Sequence, residues 1–222
     1  MKEIISMNTL NNKKNPALII AKVGIMAALC YLAFTFLQIK VPVGSEFTSF
    51  HLGNTFCVLA ALLFGGVPGG LAGAIGMTIG DLLDPVYITS APKTFLLKFF
   101  IGFITGLIAH KIGKISQRKE DGSLQPKGHV FLWTLLGSIA GMSFNVIFEP
   151  IISYLYKHYI LGLDADAASI LAKWQAATTF VNAILAVIIA TLLYMALRPA
   201  LMKAKLFDFN IGIKSKKTEK AE

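Results

Sequence analysis

Charged residues are scarce in this sequence of 222 residues, of which Asp, Glu, Lys and Arg make up only 15%. A soluble domain carries about 25%. Apolar residues make up 55% of the chain, and the mean hydropathy is +0.65. This balance excludes an ordinary water-soluble globule, and the absence of a glycine repeat or a long polar tract excludes fibrous and disordered classes. The composition predicts a polytopic membrane protein.

Cysteines and catalytic motifs are also nearly absent. The two cysteines, Cys30 and Cys57, both lie in apolar runs, so neither a disulfide nor a metal site is predicted. The sequence has no phosphate-binding loop, no His-Glu-x-x-His motif and no nucleophile elbow. We therefore expect no catalytic residue, no cofactor and no enzymatic activity in this chain.

Long apolar runs are what the sequence does have. They predict an all-α bundle of six transmembrane helices at residues 17–38, 48–64, 67–83, 92–112, 130–156 and 172–197. The second and third are near the lower length limit and are joined by a Gly-Gly-Val-Pro-Gly-Gly turn at residues 65–70. They could instead form a re-entrant pair, which would leave four full spans. Pro150 is expected to kink the fifth helix.

The charge of +9 is distributed in a way that favours a membrane over nucleic acid. Sixteen of the 21 basic residues lie in the first 22 residues, in the loop after the fourth segment, or in the tail. With six spans, all sixteen lie in the cytoplasm together with both termini. The predicted parts are a flexible N-terminus at residues 1–16, a membrane domain at 17–198 and a basic tail at 199–222. Four spans with a re-entrant pair would place the same loops and termini in the cytoplasm, so the distribution of charge does not distinguish that arrangement from six spans.

Polar residues inside the apolar segments gather toward the outer half of this predicted bundle. Charges at that depth usually face a cavity or a partner, so the cluster predicts an outward-facing pocket for a small molecule. A channel would need polar groups through the whole thickness. The candidate binding residues are His51, Asn54, Asp81, Lys98, Asn145, Glu149, Trp174, Gln175 and Asn182. Structural roles without a ligand stay open as alternatives. Lys98 could only pair with Asp81 or Glu149, and Asn182 could only bridge two helices. His51 and Trp174 could be ordinary interface residues, with Trp174 in the aromatic belt.

Small residues form two further patterns. Gly69 and Gly73 in the third segment favour close packing between helices within the chain. Ala21, Gly24 and Ala28 form a smooth stripe on the first helix. Their spacing alone leaves open whether that stripe packs internally or contacts a partner in the membrane.

Several motifs, taken in order, resemble the substrate-binding S components of energy-coupling factor (ECF) vitamin transporters. They are FHLGN at 50–54, LFGGVPGG at 63–70, GAIG at 73–76, DLL at 81–83 and APKTF at 91–95, followed by Lys98 and Gly102. The resemblance covers residues 17–112 well and continues more loosely to about residue 200. It implies a six-helix bundle in the bacterial plasma membrane with an outward-facing pocket.

The resemblance also implies partners and a ligand. The partners are an ECF coupling transmembrane subunit and two cytoplasmic ATP-binding subunits, and the ligand is a vitamin or related small molecule. Ala21, Gly24 and Ala28 match the face that contacts the coupling subunit in that family. The distinctive contact patterns of the best-known riboflavin, thiamine and folate binders are missing, so the ligand is not specified.

Two other classes of function remain open from the residues. A stand-alone secondary transporter would need inverted repeats and ion-coupling residues at the midplane, and only Asn182 lies near it. A membrane assembly protein without a ligand would account for the glycine packing but not for the polar cluster.

Overall fold

A computed structural model describes residues 16–204, so the predicted N-terminal segment, apart from residue 16, and most of the predicted tail lie outside the described residues. Within this range the chain forms a helical bundle with one β-hairpin. The helices are α1 (Pro16–Thr35), α2 (Gly53–Phe64), α3 (Gly66–Leu82), α4 (Ala91–Gly106), α5 (Lys127–Leu155) and α6 (Ala165–Lys203). Strands β1 (Gln38–Val43) and β2 (Glu46–His51) pair antiparallel between α1 and α2.

Four helical stretches are long and apolar enough to cross a membrane, which fits the predicted membrane-protein class. They are Pro16–Thr35, Ile88–Ile112, Lys127–Ile160 and Ala165–Lys203. The second and third include wider π-helical turns at Leu107–Ile112 and Tyr156–Ile160, which continue α4 and α5. Helix α5 runs through Pro150 without interruption. Helix α6 starts seven residues before the predicted segment because Asp164 caps it, accepting the backbone N–H groups of Asp166 at 2.9 Å and Ala167 at 3.3 Å.

The second predicted segment, residues 48–64, is wrong over its first part. Residues 46–51 form β2, and helix α2 is only 12 residues long, about 18 Å at 1.5 Å per residue. The sequence EFTSFH contains two aromatic residues and one β-branched residue, types that suit a strand. A two-residue turn that begins at Gly44, with φ of +63°, closes the hairpin.

Helices α2 and α3 lie at the centre of the bundle. From Gly53 to Leu63 every residue except Phe56 is buried. Helix α3 approaches its neighbours through glycines: a Cβ at Gly73 would overlap the side chain of Cys57, and one at Gly76 would overlap the carbonyl of Ala27. The predicted close packing of the third segment inside the chain is therefore confirmed.

The small-residue stripe on α1 is not packed in the same way. Ala21, Gly24 and Ala28 are exposed, and no atom of residues 16–204 lies within 4 Å of a Cβ built at Gly24. The buried side of α1 is formed by other residues, among them Met26 and Cys30. Of the two alternatives for this stripe, internal packing does not hold among the described residues.

The bundle has two different ends. One, here called the hairpin end, holds β1–β2, the α3–α4 connection at residues 83–90 and the α5–α6 connection at 161–164. The other, the loop end, holds the α2–α3 turn, the α4–α5 loop at residues 113–126 and the last turns of α6. At the loop end, Arg198 Nη2 donates to the carbonyl of Ile115 at 3.3 Å and ties α6 to the α4–α5 loop.

Candidate functional site

A polar cavity of about 70 Å³ lies at the hairpin end, enclosed by β2, the end of α3, the start of α4, the last turns of α5 and the first half of α6. Most of the residues predicted for a binding site meet there, although they come from elements spread along the chain. The predicted residues that line it are His51, Asn54, Asp81, Lys98, Glu149, Gln175 and Asn182. The structure thus brings the predicted cluster together in one place.

A buried group of charges forms one wall. Lys93 donates to Glu149 Oε1, and Lys98 Nζ lies 3.7 Å from Glu149 Oε2. Both lysines are 6% exposed. Lys98 Nζ also lies 3.5 Å from Asn145 Oδ1, one turn before Glu149 on α5. Of the acids considered for Lys98, the structure pairs it with Glu149.

Asp81, near the end of α3, adds a second carboxylate to this buried group of charges. It is 2% exposed, and Lys93 and Lys98 act on it electrostatically. Its Oδ2 atom has no hydrogen-bond partner among the residues that the structure describes. A buried acceptor of this kind is usually satisfied by a partner or by a bound molecule.

The hairpin is tied to the cavity by side chains of the last two helices. Asn182 of α6 donates through Nδ2 to the carbonyl of Ser49 and accepts the backbone N–H of His51 through Oδ1, both at 3.0 Å. The hydroxyls of Thr48 and Thr178 share a hydrogen bond of 2.7 Å. Lys157 in the extension of α5 pairs with Glu46. Asn182 therefore bridges a helix and the hairpin rather than two helices, and both of its amide atoms are engaged.

The rim of the cavity carries a second ion pair and an aromatic ring. Lys40 of β1 pairs with Asp84 at 2.6 Å, and its ammonium group lies 5.4 Å from the ring centre of Tyr87. Burial raises the pKa of Tyr87 to about 12, so its hydroxyl keeps its proton at neutral pH. Tyr87 lines the cavity, and its hydroxyl lies near the side chain of Ser49, which lines the cavity as well.

Two predicted residues are placed differently. Trp174 is 51% exposed and does not line the cavity. Asn145 is fully buried behind Lys98 and reaches the cavity only through that contact. Among the residues that sequence reasoning did not assign to the site, Lys157, Thr94, Thr178 and Lys93 line the cavity. Lys93 and Lys157 lie near the ends of predicted segments, a position where lysine commonly lies at the membrane surface.

Comparisons with known proteins agree with the motifs. A family model described as "ECF-type riboflavin transporter, S component" matches residues 14–199. A UPF0397 protein of Exiguobacterium sp. (strain ATCC BAA-1283 / AT1b) is 27% identical in an alignment of 171 residues that covers 74% of this chain and 85% of that protein. No solved structure matches the chain. The matched range contains every residue that lines the cavity.

Proposed function

Because the chain belongs to the family of S components of ECF-type riboflavin transporters, we propose that it captures a vitamin or related small molecule outside the bacterial plasma membrane. It delivers that molecule inward together with an ECF coupling transmembrane subunit and two ATP-binding subunits. The family is one of transporters. In this proposal the partner subunits hydrolyse the ATP. The observation that carries the proposal is the polar cavity at one end of an otherwise apolar bundle.

The distribution of charge supports an outward-facing cavity. Among the described residues, seven basic residues lie in the α4–α5 loop, next to it or in the last turns of α6, all at the loop end: Lys111, Lys114, Arg118, Lys119, Lys127, Arg198 and Lys203. Five lie at the hairpin end: Lys40, Lys93, Lys98, Lys157 and Lys173. Because basic loops favour the cytoplasm, the loop end faces inward and the hairpin end faces outward. The cavity then opens toward the side from which a nutrient arrives.

In this proposal all six helices cross the membrane and both termini are cytoplasmic. Helix α2 is short, and the hairpin completes its crossing. Backbone that is not helical is tolerated at membrane depth where it is buried in protein or lines a cavity. Here β1 and Asn182 satisfy backbone groups of β2, which supports the arrangement.

The stripe of Ala21, Gly24 and Ala28 is proposed as the contact with the coupling subunit. These residues are exposed in the chain, and small side chains let a second helix approach closely. A smooth face also suits a bundle that tilts against its partner while it releases its ligand inward. The stripe lies on α1, outside the cavity lining, so binding of ligand and contact with the partner use different surfaces.

This separation is tested with Gly24→Leu in the full chain, expressed together with the coupling and ATP-binding subunits. Because nothing in the described part of the chain lies within 4 Å of a Cβ at that position, we expect normal folding and ligand content but loss of the co-purified partners and of uptake. Small molecules bound to the purified protein are identified by mass spectrometry, and partners by quantitative pull-down. The matched control is Ala177→Leu on the exposed side of α6.

Equal loss of ligand and partners in Gly24→Leu, with the chain still folded, would contradict the division between the two surfaces. Uptake by the chain alone, driven by an ion gradient and without any partner, would instead favour a secondary transporter.

A further inference from the structure

We infer that the cavity takes a compact ligand with no net charge that donates several hydrogen bonds, rather than a flavin. The inference rests on the proposed function, since it takes the cavity to be the place where the transported molecule binds. Three independent properties of the cavity lead to it: its size, its charge balance and the kind of polar atom that it leaves without a partner.

The cavity is small for a vitamin site. Its volume of about 70 Å³ is well below the roughly 300–1,000 Å³ of typical small-molecule pockets. The hairpin that covers it is held by Asn182, by the Thr48–Thr178 hydrogen bond and by the Lys157–Glu46 pair. A flavin has three fused rings and a polyol chain, so its entry would require all of these contacts to part. A molecule of one ring or of similar size requires far less rearrangement.

The charges around the cavity balance one another. Four lysines and four carboxylates lie in the cavity wall and at its rim. Six of these groups form the pairs Lys40–Asp84, Lys93–Glu149 and Lys157–Glu46. The other two are Lys98, which lies beside Glu149, and Asp81, which interacts electrostatically with Lys93 and Lys98. A net charge on the ligand would therefore bring one uncompensated charge into a poorly hydrated space, which is unfavourable. An uncharged or zwitterionic ligand keeps the balance.

Among the described residues that line the cavity, most of the buried side-chain atoms without a hydrogen-bond partner are acceptors: Asn54 Oδ1 at the start of α2, Asp81 Oδ2 at the end of α3 and Gln175 Oε1 on α6. These three residues are 1%, 2% and 8% exposed, respectively. The other two atoms are His51 Nδ1 and the hydroxyl of Tyr87, which lies near Ser49. The Lys93 and Lys157 donors, by contrast, already bond to carboxylates. A ligand that offers N–H or O–H groups on more than one edge satisfies these acceptors, whereas a ligand with acceptors alone leaves them unpaired.

Amino- or amide-bearing single rings have this combination of size, charge and donors. The experiment uses the purified full-length chain in lipid nanodiscs, first freed of bound small molecules. It is incubated with an equimolar mixture of uracil, nicotinamide, nicotinate, pantothenate and riboflavin, and separately with a small-molecule extract of bacterial cells. Retained compounds are identified by mass spectrometry. Nicotinamide and nicotinate form a matched pair, because they differ only in an uncharged amide against a carboxylate.

We expect retention of uracil or nicotinamide, or of a neutral or zwitterionic compound of similar size from the extract. Preferential retention of riboflavin, nicotinate, pantothenate or any other bulky or charged compound would overturn the inference and leave the proposed capture function intact. A folded chain that retains nothing from either source would contradict the proposed function itself, and the inference with it.

A pair of variants tests the acceptor argument on whichever compound is retained. Gln175→Leu keeps the approximate shape of the side chain but removes its acceptor, so the affinity should fall about tenfold or more. Gln117→Leu makes the same chemical change in the α4–α5 loop and should leave affinity unchanged. Both variants should unfold at temperatures close to that of the unsubstituted chain. Equal affinity of Gln175→Leu and the unsubstituted chain would show that this acceptor does not face the ligand.

Discussion

Glu149 is the residue on which the charges of the cavity converge. It bonds to Lys93 and lies 3.7 Å from Lys98, and all three side chains are at most 12% exposed. One carboxylate thus serves two ammonium groups from α4. Removing one partner of a buried ion pair costs far more than the pair contributes, because the remaining charge stays buried without compensation.

We therefore expect Glu149→Gln to lower the free energy of unfolding by about 3–5 kcal/mol. The matched control is Asp84→Asn at the rim, whose partner Lys40 is 36% exposed; there the loss should stay below about 1 kcal/mol. Both are measured by denaturant unfolding in detergent. The double variant Lys93→Gln/Glu149→Gln should recover part of the loss, because it removes an unpaired charge. Equal small losses in both single variants would show that water already solvates the Glu149 group.

At the scale of elements, α3 is the helix whose sequence allows the closest contacts. Its glycines face α1, α2 and α4, and a Cβ at any of several positions would meet backbone or side-chain atoms of these neighbours. Because packing in the membrane has no hydrophobic driving force between helices, close van der Waals contact carries much of their association. The shape of α3 therefore sets the distances among the central helices.

This makes Gly73→Ala a specific probe. The added methyl group would overlap Cys57 of α2, so we expect a loss of about 1–3 kcal/mol in the free energy of unfolding. The same substitution at Gly24, where a Cβ would have no described neighbour within 4 Å, should be neutral or stabilising, since alanine favours helix more than glycine does. Thermal unfolding in one detergent compares the two. Similar behaviour of both variants would mean that α2 and α3 can separate at no cost.

The sequence predicts the helices better than it predicts the hairpin, and the physical reason is the range of the interactions involved. Hydropathy along the chain locates α3 and α4 to within a few residues. The hairpin depends instead on pairing between β1 and β2 and on Asn182, which is 131 residues away from His51. Apolar residues of β2 are followed almost directly by those of α2, so an average of hydropathy along the chain does not separate the strand from the helix.

The candidate site shows the same limit. Asp81, Lys98 and Glu149 stand out because they interrupt apolar segments, and they meet in the cavity. Lys93 and Lys157 lie near helix ends, where a lysine normally reaches water, and only their burial at 6% and 4% distinguishes them. Trp174, selected as a bulky aromatic near the same end, is half exposed. Burial is a property of the whole fold and is not available from local sequence.

At the scale of the whole molecule, the proposed orientation can be tested by single cysteines. Cys30 and Cys57 are both 0% exposed, so we expect these native cysteines not to react with a labelling reagent while the chain is folded. Val86→Cys lies at the rim of the hairpin end and Glu120→Cys in the α4–α5 loop, and both positions are exposed. In intact cells a membrane-impermeant maleimide should label Val86→Cys and not Glu120→Cys, and inverted vesicles should give the reverse. Labelling of Glu120→Cys in intact cells would reverse the orientation and contradict import from outside.

The same method decides whether α2 and α3 cross the membrane. Val67 lies in the first turn of α3, beside the α2–α3 turn, and is 51% exposed. Helix α2 is about 18 Å long and α3 about 26 Å, against roughly 30 Å of hydrocarbon, so length alone allows a crossing pair or a re-entrant pair. If the pair crosses with the help of the hairpin, Val67→Cys reaches the cytoplasm and is labelled in inverted vesicles at a rate near that of Glu120→Cys. If the pair re-enters from outside, the turn lies within the bilayer, and the impermeant reagent should fail to label Val67→Cys from either side. We expect labelling in inverted vesicles, because the α2–α3 turn shares the loop end with the basic α4–α5 loop.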